Sequence, residues 1–264
     1  MKKVLFLLIF IVFNSCQTAE DYVDQGDSKN MLQKYDEAID HYTKAIDLNP
    51  DFAEAYYLRG YSKSMIEDLN GAIDDYSKAI ELKPDYLIVY CGIGDAKVNL
   101  KDYYGAIADF TKAIELNPDF ALAYHRRGST KATLKDFNRA IKDFSKAIDL
   151  NPNFALSYEN RGNSKANLKD FDGAIVDFTK AISLKPNFAD AYFNRGNAKK
   201  DLIDIDGAIA DYNKCISLNP NDAQAYLNRG ILKELLGQPY CSDYKKACDL
   251  GLTRCCEWYN NQCN

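Results

Sequence analysis

Two residue types recur along the chain at one fixed interval, and this interval constrains the fold more than any other feature. Six of the seven prolines are spaced 34 residues apart, namely Pro50, Pro84, Pro118, Pro152, Pro186 and Pro220. Glycine follows the same interval at Gly26, Gly60, Gly94, Gly128, Gly162, Gly196 and Gly230. Thirty-four residues is the length of one helix–turn–helix unit. The sequence therefore predicts an array of such units.

Each unit is predicted to contain two helices. With the glycine at position 8, the units are 19–52, 53–86, 87–120, 121–154, 155–188, 189–222 and a shortened 223–250. Apolar residues recur every three or four positions, as at Ala208, Tyr212 and Cys215, which is the helical period. Proline at position 32 ends the second helix because it cannot extend the hydrogen-bond ladder. Glycine at 8 and alanine at 20 let two helices approach closely, and Tyr or Phe at 24 fills the remaining space.

This ladder resembles the tetratricopeptide repeat family, whose signature is an aromatic at 4, Gly at 8, Ala at 20, an aromatic at 24, Ala at 27 and Pro at 32. Position 4 is Tyr in every unit, position 7 is mostly Arg and position 11 is always Lys, where the family has Trp, Leu and Tyr. The resemblance covers residues 19 to about 250. It implies an all-α fold, a right-handed α-solenoid of about seven repeats whose first helices line a concave groove.

The N-terminus is predicted to be a targeting segment. Lys2 and Lys3 precede ten apolar residues from Val4 to Phe13, which is typical of a secretory signal at 1–15. A ten-residue helix is about 15 Å long, half the thickness of a bilayer core. The alternative is a buried first strand or helix.

Ser15-Cys16 resembles a bacterial lipobox, although Phe13 and Asn14 depart from its usual residues. The resemblance implies that Cys16 carries a lipid and that residues 16–18 form the anchored N-terminus. Gln17 resembles signals that direct a lipoprotein to the outer membrane. We therefore expect an exported outer-membrane lipoprotein of the cell envelope.

Charge and composition argue against two classes of function. The net charge is −5 and no basic block occurs, so nucleic acid is not an expected partner. The two histidines belong to no Ser–His–Asp grouping, and no Gly-rich phosphate loop or metal-ligand spacing appears in the repeats. We expect no catalytic activity, no cofactor and no metal. An enzyme subunit with its site in the last 35 residues is the less favoured alternative.

The resemblance also implies a binding face, formed by positions 2, 5, 6, 9, 12 and 13 of the first helices. The candidate groove residues are Tyr57, Tyr61, His125, Arg126, Asn160, Asn163, Asn167, Asn194, Asn197 and Asn228. Asparagine carries both a donor and an acceptor, so a row of asparagines suits the backbone of an extended peptide. We expect these asparagines to face water and His125 to act as a hydrogen-bonding contact. The alternative is that they are merely solvated polar residues.

The expected partner is therefore a protein or an extended peptide. Some tetratricopeptide co-chaperones hold a C-terminal carboxylate with basic residues, but the matching positions here are Glu159, Gln224 and Asn228. We therefore expect no such carboxylate clamp. A second hypothesis is an obligate structural component of an envelope assembly complex, which a large apolar patch on the convex face would favour.

Charged residues repeat on the second helices. Asp at position 23 and Lys at 26, as in Asp177 and Lys180, have the i,i+3 spacing of exposed ion pairs. We expect them to lie on the outer face and to keep the array soluble. His41 occupies position 23 in the first repeat and is expected to be a surface variant.

Five of the eight cysteines lie in the last 24 residues. We expect residues 251–264 to form a capping helix, since the last repeat of a solenoid otherwise exposes its stacking face. Two pairs are symmetric about residue 252 and would face each other in an antiparallel hairpin, namely Cys248–Cys256 and Cys241–Cys263. Export would permit both disulfides. The alternatives are a zinc site or buried free thiols, and Cys255 is left over in the disulfide arrangement.

Overall fold

The computed structural model describes residues 17–263 and folds this part of the chain into fifteen α-helices without a β-strand. The helices are α1 (Ala19–Met31), α2 (Tyr35–Leu48), α3 (Ala53–Met65), α4 (Leu69–Leu82), α5 (Leu87–Asn99), α6 (Tyr103–Leu116), α7 (Ala121–Thr133), α8 (Phe137–Leu150), α9 (Ala155–Asn167), α10 (Phe171–Leu184), α11 (Ala189–Asp201), α12 (Ile205–Leu218), α13 (Ala223–Leu235), α14 (Cys241–Asp249) and α15 (Thr253–Gln262). The predicted signal peptide and Cys16 lie outside the described residues.

The helices belong to two compact units that meet in the sequence at Leu100 and Lys101. The first unit contains α1 to α5 and the second contains α6 to α15. Within each unit every helix packs against the next one in the chain, which is the packing of an α-solenoid. The predicted all-α solenoid class is therefore confirmed. None of the helices described between residues 17 and 263 has the length and apolarity needed to cross a bilayer.

The repeat sequence sets where each helix begins and ends. Before α10, Lys169 takes a positive φ of 65° and ends the preceding turn. The Asp170 carboxylate then accepts a hydrogen bond from the Gly173 backbone N–H at 3.0 Å, which satisfies a donor at the start of the helix. The helix stops at Leu184, two residues before Pro186. The same Asp-x-x-Gly cap precedes α4, α6 and α12.

The small residues of each repeat make room for one large ring. In the fifth repeat Phe178 is fully buried, and so are Ala174 and Ala181 on the same helix. A Cβ atom added to Gly162 would lie only 2.7 Å from the Phe178 ring. Since interiors are packed to crystal density, only glycine fits at this crossing of α9 and α10.

The aspartates at position 23 are not on the surface, and that expectation was wrong. Asp177 is 1% exposed. Its two carboxylate oxygens accept hydrogen bonds from Nε and Nη2 of Arg161 at 2.9 and 2.6 Å. Lys165 Nζ lies 2.7 Å from Oδ2 of the same carboxylate. The predicted partner Lys180 takes no part in this cluster. The reason is geometric, because position 23 faces the first helix of its own repeat, where positions 7 and 11 supply the cations.

This buried cluster also joins neighbouring repeats. Nη1 of Arg161 donates to the Ser145 hydroxyl of the preceding repeat at 3.0 Å. Four other repeats contain the same Arg, Lys and Asp arrangement, namely Arg59–Lys63–Asp75, Arg127–Lys131–Asp143, Arg195–Lys199–Asp211 and Arg229–Lys233–Asp243. Position 7 therefore links two repeats as well as two helices.

The first repeat lacks this cluster. Gln25 stands where five of the other six repeats have arginine, and His41 stands where those five have the buried aspartate. His41 is half-buried, with its ring 6.3 Å from that of Tyr22. The expectation of a surface variant was therefore wrong, because position 23 faces inward in this repeat too.

The C-terminal end is closed by α15, which packs on α14. Trp258 lies 5.5 Å from the Tyr244 ring, and Cys255 is fully buried. The structure joins Cys241 to Cys263 and Cys248 to Cys256. These are the two pairs that the symmetry about residue 252 predicts.

Candidate functional site

Two pockets lie side by side along the first helices of the second unit. The first, called the Phe144 pocket, has a volume of about 360 Å³ between α7, α8 and α9. It is lined by Ser129, Ala132, Thr133, Phe137, Phe144, Asn160, Asn163, Ser164 and Asn167. The second, called the Phe178 pocket, has a volume of about 240 Å³ between α9, α10 and α11. It is lined by Asn163, Ala166, Asn167, Phe171, Phe178, Asn194, Asn197, Ala198 and Asp201.

The two pockets are the same feature in consecutive repeats. Every residue that lines the Phe178 pocket lies 34 positions after a residue that lines the Phe144 pocket. Asn163 and Asn167 line both, so the pockets are immediate neighbours. Each combines two phenylalanines with side-chain amides. Such a surface offers apolar contact and backbone hydrogen bonding at one regular spacing.

The ring at position 24 distinguishes these repeats from the next one. Phe144 and Phe178 present plain rings, whereas the corresponding residue in the sixth repeat is Tyr212. Its hydroxyl donates to Oδ1 of Asn197 at 2.7 Å. A tyrosine at this position therefore occupies the acceptor oxygen of that amide and leaves its NH₂ group.

The asparagines at position 6 bond to the preceding repeat. Asn160 donates to the Ser129 hydroxyl at 3.4 Å, and Asn228 donates to Oδ1 of Asn197 at 2.9 Å. Asn194 donates to the Glu159 carboxylate at 2.9 Å. All three are half-buried. The expectation that they simply face water was wrong, because position 6 lies against the neighbouring first helix.

Positions 9 and 13 supply the amides that line both pockets. Asn167 is exposed, and its amide donates to the Asn163 backbone carbonyl at 2.8 Å. Oδ1 of Asn197 accepts from two neighbours, Tyr212 and Asn228. This fixes the amide plane of Asn197, so its NH₂ group points away from those neighbours. The best candidate ligand contacts are therefore Asn163, Asn167 and Asn197.

Glu159 lies beneath these amides. It is 7% exposed, and its carboxylate accepts from the side chains of both Asn163 and Asn194. Burial raises the pKa of Glu159, and the two amide hydrogen bonds lower it in part. The carboxylate therefore orients the asparagines of two repeats, which is a positioning role rather than a contact with ligand.

His125 does not reach into the pockets. Its Nδ1 lies 2.9 Å from the Ser157 hydroxyl of the next repeat, and its ring is 4.6 Å from that of Phe154. Burial lowers the pKa of His125 to about 4, with a contribution from the neighbouring charge of Arg126. The imidazole is therefore neutral at pH 7. His125 was predicted to form a hydrogen bond with a ligand, but its partner in the structure is the protein itself, because position 5 lies at the junction between repeats. Arg126 is half-buried and lines neither pocket.

The two tyrosines predicted as groove residues belong to the first unit. Tyr57 packs between the rings of Tyr76 and Tyr86, at centroid distances of 6.0 and 5.4 Å. Burial raises its pKa. Tyr61 is 42% exposed. Tyr57 is thus a packing residue, and only Tyr61 offers its ring to the surface.

Family comparisons agree with this repeat geometry. Models described as TPR repeat or tetratricopeptide repeat match residues 26–64, 67–101, 88–120, 121–154, 162–202, 189–222 and 211–240. The chain belongs to the tetratricopeptide repeat (TPR) family. A TPR array is a scaffold of the kind typical of protein–protein interaction. Among curated proteins, none matches this TPR chain significantly.

Solved TPR structures share the fold. The crystal structure of YrrB, a TPR protein with an unusual peptide-binding site, is 26% identical, covers 70% of this chain and 95% of its own, and has a TM-score of 0.58. A TPR protein from Parabacteroides merdae is 18% identical over 93% of this chain and 99% of its own, with a TM-score of 0.68. PilF from Pseudomonas aeruginosa is 17% identical over 82% and 96%, with a TM-score of 0.70. The last two likenesses concern the fold alone.

Neighbouring TPR folds are generally non-catalytic scaffolds. Within residues 17–263 no three His, Cys, Asp or Glu side chains are grouped so that they could hold a metal ion. The pockets contain amide, hydroxyl and phenyl groups and one carboxylate, that of Asp201. This chemistry suits binding and offers no base beside a nucleophile.

Sequence reasoning missed that Phe137 and Phe171 line the pockets and that Glu159 orients the asparagines. Phe144 and Phe178 are fully buried, as the core pattern predicts, whereas Phe137 and Phe171 keep an exposed edge that periodicity does not show. One signal was available. Position 24 is Phe in the third to fifth repeats and Tyr in the others, which marks where a ring lacks a hydroxyl.

Proposed function

We propose that this TPR protein is a non-catalytic scaffold that binds extended peptide segments along the Phe144 and Phe178 pockets. The observation that carries the proposal is the exact repetition of the two pockets. Two adjoining sites with the same chemistry at one spacing suit a ligand that is itself a repeating polymer, such as a polypeptide backbone.

The amides supply the recognition of the backbone. Each side-chain amide can donate to a peptide carbonyl and accept from a peptide N–H. Asn163 and Asn167 lie between the pockets and can bond the peptide segment that joins two bound side chains. The half-buried Phe137 and Phe171 give those side chains an apolar surface. Peptide binding by the structurally similar YrrB is in keeping with this proposal.

The charge of the site argues against a carboxylate-binding clamp. No lysine or arginine lines either pocket, and the charged lining residue, Asp201, is acidic. Glu159 is buried between the pockets. No cation lines the pockets to hold a C-terminal carboxylate, and the charge of Asp201 would repel one, so an internal segment of the partner is the proposed ligand.

Removing two shared amides tests the proposal. We expect Asn163→Ala combined with Asn167→Ala to weaken binding at least tenfold, about 1.4 kcal/mol, because two hydrogen bonds of about 0.5–1.5 kcal/mol each are lost. The peptides are selected from a random library on the wild-type protein, and their Kd values are measured by fluorescence anisotropy.

The control is Asn153→Ala combined with Asn187→Ala, exposed asparagines at position 33 of neighbouring repeats, outside the pockets. It should bind like the wild type. Circular dichroism and melting show whether each variant is folded. Unchanged affinity in a folded Asn163/Asn167 variant would place the peptide elsewhere.

We further propose that the protein is exported and lipid-anchored at the outer membrane. The support is the sequence around Cys16, together with two disulfides in the C-terminal cap, a bond type typical of oxidising compartments. The anchor would hold the array beside the membrane, where its partner is an envelope protein.

The anchor has its own test. Cys16→Ala should abolish incorporation of radiolabelled palmitate and leave an unprocessed or soluble protein. Gln17→Ala, one residue further on, should keep the label. Equal labelling of Cys16→Ala and wild type would contradict the lipidation.

The scatter of exposed apolar side chains on the described second helices supports a reversible receptor over an obligate assembly component. Exposed large apolar side chains on the described second helices include Leu48, Tyr104 and Val176, which lie in three different repeats. Apolar residues scattered singly are normal on a surface. The proposed binding surface is therefore the pair of pockets.

A further inference from the structure

The spacing of the pockets narrows the ligand to one backbone conformation. We infer that the pockets hold a polyproline II segment with an apolar side chain at every third residue and neutral or basic residues beside it. This inference rests on the proposed function and deepens it, because it names the class of peptide.

The spacing follows from helix packing. The first helices touch one another directly, α7 against α9 and α9 against α11. Axes of packed helices lie about 8–10 Å apart, so equivalent points in the two pockets are separated by about that distance. Sharing of Asn163 and Asn167 by both pockets agrees with this short separation.

Of the two common extended conformations, only polyproline II places side chains on one face at that spacing. Polyproline II rises about 3.1 Å per residue with three residues per turn, so every third side chain returns to the same face after about 9 Å. In a β-strand, neighbouring side chains on one face are about 6.7 Å apart, and every second one on that face is about 13 Å apart. A strand would therefore place one side chain correctly and miss the second pocket.

The amides between the pockets suit the same conformation. A polyproline II backbone makes no internal hydrogen bonds, so its carbonyls remain available as acceptors. Asn167 is exposed between the two pockets, and the NH₂ group of Asn197 is oriented away from its protein partners. These donors can bond carbonyl groups even where proline has removed the peptide N–H.

The chemistry of the lining selects the side chains. Phe137 and Phe171 are half-buried and offer aromatic surface to the pockets, and aromatic-lined grooves dock polyproline II segments well. Pockets of about 240 and 360 Å³ accommodate proline or leucine. Asp201 is half-exposed at the Phe178 pocket, so lysine beside the apolar residues is favoured and an acidic residue is repelled.

A set of synthetic peptides tests the inference. The probe repeats the triplet Leu-Pro-Pro over about twelve residues and ends in lysine amide. A second peptide has the same composition with its leucines at irregular spacing, and a third carries glutamate in place of lysine. We expect the triplet peptide to bind at least tenfold more tightly than the irregular one, and the glutamate peptide to bind more weakly than the lysine one.

Filling the pockets provides the protein side of the test. Ala132→Leu and Ala166→Leu each place a larger side chain in one pocket, and together they should reduce affinity for the triplet peptide at least tenfold. Ala210→Leu, on an exposed position of α12, should leave it unchanged. If the leucine variants do not fold, Ala132→Val and Ala166→Val replace them.

The outcomes separate this inference from the proposed function. Equal binding of the triplet and irregular peptides, or full affinity in folded pocket-filled variants, overturns the polyproline II assignment. In that case library-selected peptides that still depend on Asn163 and Asn167 would leave the proposed function standing. If no selected peptide depends on those asparagines, both fall.

Discussion

Replacing Asp177 by alanine is expected to destabilise the protein by about 3–5 kcal/mol. The substitution leaves Arg161 and Lys165 facing each other without a counter-charge in a largely buried site, since their side chains are only 18% and 21% exposed. Breaking a buried ion pair by removing one partner costs far more than losing an exposed pair. The measurement is the free energy of unfolding from urea titration monitored by circular dichroism.

The matched control is Asp149→Ala, an exposed aspartate near the end of α8 in the preceding repeat, which should change stability little. Asp177→Asn should fall between the two, because the amide keeps the shape and part of the hydrogen bonding. A loss below about 1 kcal/mol for Asp177→Ala would contradict the buried cluster and restore the surface ion pair that periodicity had indicated.

Removing the Cys241–Cys263 disulfide is the second large effect. The two residues are 22 apart in sequence, and closing a loop of that length in the unfolded chain stabilises the fold by about 3 kcal/mol in the chain-entropy model. The bond ties the end of α15 to the start of α14. We therefore expect the double variant Cys241→Ser and Cys263→Ser to lose the C-terminal cap first, detected as faster hydrogen exchange in α14 and α15.

A reducing agent gives the complementary measurement. It should lower the stability of the wild-type protein markedly and that of the double variant less, since only Cys248–Cys256 remains to be reduced. Non-reducing peptide mapping should recover Cys241 linked to Cys263 and Cys248 linked to Cys256. Recovery of these four cysteines as alkylated thiols from oxidised protein would overturn the pairing.

Much of the fold follows from the sequence because the repeat constrains it many times over. Each of the first six repeats contains a proline that ends its second helix, a glycine at the helix crossing and a large ring that fills it, as at Pro186, Gly162 and Phe178. All three recur with the same period of 34 residues. A cap is expected from the sequence as well, since cysteines that are symmetric about one turn would face each other in a hairpin, although the sequence alone left a zinc site or free thiols open.

The charged residues show what helical periodicity alone cannot predict. Asp177 and Lys180 have the spacing of an exposed pair, but the same helix position also faces Arg161 across the repeat. Spacing along one helix does not say which neighbour surrounds a side chain. The better signal was the joint replacement of arginine and aspartate by Gln25 and His41 in the first repeat.

The candidate pockets lie on the face for which the resemblance argues, but their chemistry does not follow from the sequence. Asparagines at positions 6, 9 and 13 all line the pockets, and each of them also makes a hydrogen bond within the protein. Which amides remain available depends on three-dimensional partners such as Glu159 and the Tyr212 hydroxyl. The sequence alone does not show these contacts.

The most direct test of the account is to locate a bound peptide. A library-selected peptide that carries a benzophenone photo-cross-linker is irradiated with the protein, and the modified residues are identified by mass spectrometry. The account predicts cross-links to α7, α9 and α11, centred on Thr133, Asn167 and Asn197. Cross-links concentrated on the outer face of the second helices, for example around Val176, would contradict it.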